Sequence, residues 1–103
     1  PELLENRTIV RRGEVITSEI FVKKDLNIEN INSKITTLLK KTRDEIKSRG
    51  SIVKEITTKG DFVEKIRDSI KINQNNKYLI EVESLRDSKT AEPIIVDFNV
   101  TRL

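Results

Sequence analysis

An α+β domain is the fold class this sequence predicts, with two helices packed on one face of a mainly antiparallel sheet in the order β-β-α-β-α-β-β. Three patterns lead there. β-Branched runs flank Gly13, apolar residues recur every three or four positions from Ile28, and two alternating segments lie towards the C-terminal end.

The opening PELLEN, residues 1–6, has helix-compatible residues without strand alternation and is expected to be a linker or the end of a preceding helix. Residues 7–103 are expected to form a single α+β domain. RTIVRR and EVITSEIFV read as two strands, separated at Gly13 by the residue type that marks bends and bulges. Next, Ile28, Ile31, Ile35, Leu38, Leu39 and Ile46 predict an amphipathic helix over about 28–48. Asp25 or Asn27 is available as its N-cap, and Gly50 can end it in the left-handed conformation. SIVKEITT predicts a short strand. GDFVEKIRDSI predicts a second helix, with Asp61 and Glu64 in capping-box spacing and Ile66 and Ile70 on its apolar stripe. After the polar NQNN, YLIEVESL places Tyr78, Ile80 and Val82 inward, with Glu81 and Glu83 outward. RDSKTAEP is the longest polar connection. IIVDFNV then closes the sheet, with Ile94, Val96, Phe98 and Val100 inward and Asp97 and Asn99 outward.

Composition narrows the chemistry. The chain has 103 residues, 35% of them hydrophobic, enough for one core but not for two. Cysteine and histidine are both absent, which removes disulfides, thiol nucleophiles, thiolate or imidazole metal sites and the commonest general base. With only three Phe, one Tyr and no Trp, the chain lacks the aromatic residues that usually line deep ligand pockets. No apolar run reaches the roughly 18 residues expected of a transmembrane helix. The start at Pro1 and the absence of Met suggest a domain of a longer protein.

The net charge of +3 is concentrated in one place. KKTRDEIKSRG, residues 40–50, carries Lys40, Lys41, Arg43, Lys47 and Arg49 against Asp44 and Glu45, and the rest of the chain is electrically balanced. Cations in the last turns of a helix match the negative end of its macrodipole, and this is the preferred reading. The competing one makes Lys40, Lys41, Arg43, Lys47 and Arg49 a polyanion-binding surface, to which Arg7, Arg11 and Arg12 would add if the first strand lies near the helix end. No aromatic stacking residues or nucleic-acid motif accompany the run.

Other candidates are weaker. Glu81 and Glu83 point the same way about 7 Å apart by strand rise, a spacing used in glycoside hydrolysis, but alternation puts them in solvent without the apolar pocket that raises a carboxyl pKa. With Asp97, they are the residues an enzymatic or Mg²⁺-dependent reading would have to use. SIVK, residues 51–54, has Ser-x-x-Lys spacing without helical context or companion motifs. Asn99-Val100-Thr101 matches a glycosylation sequon, and the three glycines are too scattered for a nucleotide loop. No catalytic residue, cofactor or metal site is assigned. Sheet edges remain as a route to association, with Lys23, Lys24 and Arg102 as candidate guards.

The order of RRGEVI, the Ile-rich helix, YLIEVESL and PIIVDFNV resembles the C-terminal domain of an uncharacterised bacterial family of membrane-anchored, myosin-like coiled-coil proteins. That resemblance carries no catalytic motif. It implies a location on the cytoplasmic side of a membrane and makes PELLEN the end of the coiled coil. The expected function is a non-enzymatic assembly or protein-interaction domain, acting as a homo-oligomer or with a protein partner. Nucleic-acid binding through the basic helix end is the alternative.

Overall fold

The computed structural model describes residues 7–22, 28–60, 64, 65, 68 and 77–103. They form β1 (Thr8–Val10), β2 (Val15–Val22), α1 (Ile28–Ser48), β3 (Ile56–Thr58), β4 (Lys77–Ser84), β5 (Ser88–Lys89) and β6 (Ile94–Arg102). A four-stranded sheet has the order β2-β4-β6-β3, and β1 pairs with β5 in a separate two-stranded ribbon.

In the main sheet, β4 is antiparallel to both β2 and β6, whereas β3 runs parallel to β6. The parallel pair follows from α1, which returns the chain in the direction of β2 after crossing from one edge of the sheet to the other. Strand periodicity sorts the side chains. Thr17, Glu19, Phe21, Tyr78, Ile80, Val82, Val96, Phe98 and Val100 share the inner face, because Phe21 pairs with Tyr78, Val82 with Phe98 and Ile80 with Val100. Ser18, Ile20, Leu79, Glu81, Glu83, Asp97, Asn99 and Thr101 lie on the outer face.

One core forms between the inner face and α1. Ile31, Ile35, Leu38 and Ile46 are buried at helical spacing against Phe21, Tyr78, Ile80, Val82, Ile94 and Val96, with Leu39, Ile56, Phe98 and Val100 at its margin. Thr42 sits within this apolar stripe fully buried. Its hydroxyl donates to the Leu38 carbonyl at 2.8 Å and shares a short hydrogen bond with Thr17, so the buried oxygens are satisfied. Gly50, with φ +101°, ends the helix: its amide donates to Lys47 O at 3.0 Å and the Ser51 amide to Ile46 O at 3.3 Å, the paired bonds of a Schellman motif.

The expected two helices on one sheet, in the order β-β-α-β-α-β-β, are corrected. The described residues hold one helix and six strands in two sheets. The second helix expected over residues 61–70 lies largely outside the described residues, as do PELLEN and the proposed N-cap residues Asp25 and Asn27. β1 leaves the main sheet at Gly13, whose positive φ of 85° turns the chain while its amide donates to Ser84 O at 2.8 Å. RDSKTAEP contains β5 where a plain loop was expected. Polar contacts hold it: Ser84 Oγ to Arg86 O at 2.7 Å, Ser88 Oγ to Pro93 O at 2.7 Å, Lys89 N to Glu92 Oε1 at 2.8 Å and Arg12 N to Asp87 Oδ1 at 2.7 Å. The strand expected over 51–58 is regular only at Ile56–Thr58.

Candidate interaction surfaces

The helix end divides the five basic candidates into two groups. Lys40, Arg43 and Lys47 are exposed, and their spacing of three and four places them on one side of α1. Among the described residues none of the three makes an ion pair. Arg43 also borders a shallow depression of about 180 Å³ with Leu39, Glu55, Ile56 and Thr58. Lys41, although exposed, and the half-buried Arg49 are engaged by groups of the same chain. Lys41 Nζ lies 3.7 Å from Glu19 Oε2 and donates to Ser18 O at 3.3 Å.

Arg49 joins three elements. Its guanidinium makes a short ion pair with Glu14, bonds Glu45 Oε1 at 3.2 Å and donates to Ile9 O at 3.2 Å. Arg7 Nη2 donates to Arg49 O at 3.0 Å, so the first strand does lie at the helix end, where Arg7 serves as a carbonyl cap. Burial alone would push the Glu14 carboxyl up. The hydrogen bond from Arg49, that from the Arg11 amide, and the charges of both arginines outweigh it and hold the carboxyl below its ordinary value. Arg49 is raised above its usual range, chiefly by its hydrogen bond to Glu14, against the opposing effect of burial and with further support from Glu45.

The carboxylates sit elsewhere. Glu83 faces Asp97 across the β4–β6 ladder; Asn99 Nδ2 donates to Glu83 Oε2 at 2.9 Å, and Lys65 Nζ is 3.8 Å from Asp97 Oδ1. Glu81, Glu83 and Asp97 are each half-exposed on the outer face, arranged as solvated sheet residues. Ser51 is buried outside any helix and its Oγ accepts from Val53 N at 3.2 Å, while Lys54 is exposed, so SIVK does not form an activated serine. No described helix is long and apolar enough to cross a membrane.

The two edges of the main sheet differ. On β2, two helix lysines reach over the rim: Lys34 Nζ donates to Ile20 O at 2.7 Å and Lys41 Nζ to Ser18 O at 3.3 Å, filling carbonyls that another strand would seek. Glu19 anchors both, and Lys34 also lies 5.0 Å from the centroid of the Phe21 ring. Of the guards expected from sequence, Lys23 and Lys24 lie outside the described residues, and Arg102 is exposed near the end of β6.

At the opposite edge, β3 covers β6 only from Ile94 to Val96. Lys59 N donates to Val96 O at 3.0 Å, whereas Ile95 O accepts from Leu85 on the β4 side at 2.8 Å. Backbone alternation therefore turns the N–H and C=O groups of Val100 and Arg102 away from β4, where they have no strand partner among the described residues. The Phe98 amide is held by Asp97 Oδ1 at 2.9 Å. Sequence reasoning located β6 but not this overhang, since it depends on how short β3 is. No protein-family model matches the chain, and neither a curated protein nor a solved structure matches it.

Proposed function

We propose that this is a non-enzymatic protein-interaction and assembly domain whose main sheet accepts a further strand along β6. The observation that carries the reading is the contrast between the edges. β2 is closed by Lys34 and Lys41, while β6 extends past β3 with the main-chain groups of Val100 and Arg102 turned outward. Strand addition uses such groups for affinity and the alternate side chains for selectivity. The resemblance to the terminal domain of membrane-anchored coiled-coil proteins suits this role, since such a domain would join neighbouring molecules or dock a partner.

A photo-crosslinking residue at Thr101 in the full-length protein, expressed in its own cells, tests the proposal. A discrete protein adduct that is lost in Val100→Pro is expected. Val100 donates outward, so proline there leaves the β4–β6 ladder bonds in place. No adduct, or one that Val100→Pro leaves unchanged, overturns the reading.

Nucleic-acid binding remains as the second reading because Lys40, Arg43 and Lys47 are exposed on one face without ion-pair partners among the described residues. Oligonucleotide anisotropy that weakens steeply with salt and vanishes when all three become Ala would establish it.

A further inference from the structure

We infer that the depression between α1 and β3 is a binding site for a free aliphatic α-amino acid, held as its zwitterion. Leu39 and Arg43 line it from one side of the helix, a turn apart, and Ile56 and Thr58 from alternate positions of β3. Glu55, just before that strand, completes the wall. The site is independent of the β6 edge.

The charges select the ligand. Arg43 and Glu55 are both exposed and border the same hollow, yet no ion pair joins them and neither side chain has a partner among the described residues. Elsewhere opposite charges at the surface have met, as Arg49 has met Glu14 and Glu45, and Arg86 has met Glu92. A guanidinium and a carboxylate held apart across one hollow complement a molecule that carries both charges. Arg43 takes its carboxylate in a bidentate pair, and Glu55 takes its ammonium. The Thr58 hydroxyl donates to Gly60 O at 3.5 Å and keeps lone pairs with which to accept from the same ammonium. A simple anion fits less well, because Glu55 repels it. Lys40 and Lys47, the other exposed cations of this part of α1, do not line the hollow.

The floor and the size define the side chain. Leu39 and Ile56 are partly buried against the core and offer aliphatic surface with no aromatic ring. At about 180 Å³ the hollow lies below the roughly 300–1,000 Å³ of sites for larger ligands and matches a single amino acid. A branched side chain such as that of leucine covers this floor, whereas glycine leaves it in water. Two exposed charge contacts and one small apolar contact give modest affinity, with a dissociation constant on the order of 1 mM.

Amide chemical shifts of the isotope-labelled chain, followed during titration with L-leucine, test the assignment. Saturable shifts centred on Leu39, Arg43, Glu55, Ile56 and Thr58 are expected. Isocaproate, which lacks the ammonium, isoamylamine, which lacks the carboxylate, and glycine, which lacks the side chain, should each bind about tenfold more weakly or worse. Arg43→Ala and Glu55→Gln should each abolish saturation, while Lys40→Ala combined with Lys47→Ala leaves it intact. All four side chains are exposed, so circular dichroism and urea midpoints of these variants should stay close to native.

An absence of saturable shifts well above the expected dissociation constant overturns the site. Shifts centred elsewhere, or binding that survives in folded Arg43→Ala or Glu55→Gln, overturn it equally. Isocaproate binding as tightly as leucine overturns the zwitterion assignment, and loss of binding in the Lys40 and Lys47 variant transfers the effect to the basic face of α1.

Discussion

Replacing Arg49 by Ala removes a guanidinium that serves Glu14, Glu45 and the Ile9 carbonyl together, and the variant separates structural from ligand-binding roles at the helix end. Partly exposed ion pairs contribute about 0.2–1 kcal/mol each. A hydrogen bond from a charged donor to a part-buried carbonyl adds on the order of 1 kcal/mol or somewhat more. The expected loss is roughly 1–3 kcal/mol, or a fall in Tm of about 4–8 °C for each kcal/mol in a domain of this size. Urea unfolding of Arg49→Ala, Glu14→Ala and the double variant should give a coupling of about 0.5–1 kcal/mol between the two side chains.

The pH dependence has a definite sign. Glu14 is held below its ordinary value in the folded protein, so its stabilising contribution is present above the unfolded carboxylate pKa and is lost as pH falls through the lower folded value. Native protein should therefore lose more stability than Arg49→Ala between neutral pH and the acid side of the carboxylate range. Surface substitutions Lys40→Ala, Arg43→Ala and Lys47→Ala should each stay within about 0.5 kcal/mol. An Arg49→Ala variant as stable as the native protein, or a coupling indistinguishable from zero, refutes the assignment of Arg49 as a tie between elements.

Leu38, fully buried in the middle of α1, should cost about 2–5 kcal/mol when replaced by Ala, read as a lower urea midpoint. Gly50→Ala forces a side chain into φ +101° with its Cβ 2.8 Å from Arg7 Nη2, and should lower stability by about 1–3 kcal/mol in thermal unfolding. Lys34→Ala combined with Lys41→Ala should change stability by less than about 2 kcal/mol, since both ion pairs are partly exposed. Light scattering on that double variant should nevertheless show more association than the native protein under the same conditions, because the β2 carbonyls are uncovered.

The elements with strong periodicity were legible in the sequence. α1 spans Ile28–Ser48 because its isoleucines and leucines repeat at helical spacing and Gly50 stops it, and β4 buries Tyr78, Ile80 and Val82 as alternation requires. β5 was not legible, since Ser84, Ser88 and Glu92 hold it through hydrogen bonds that leave no apolar pattern. The departure of β1 from the main sheet was hidden as well. Gly13 signalled a bend, but pairing with β5 is a long-range choice that local propensity does not encode. At the helix end the five cations looked equivalent as a run. Only the fold shows that Lys41 meets Glu19 and Arg49 meets Glu14, while Lys40, Arg43 and Lys47 point away.

Lys34 and Lys41 occupy two β2 carbonyls with side chains from the same protomer, so an incoming strand finds fewer acceptors on that edge. Protection of the β2 edge against pairing thus resides in two lysine side chains, whose charge could be removed without disturbing the core.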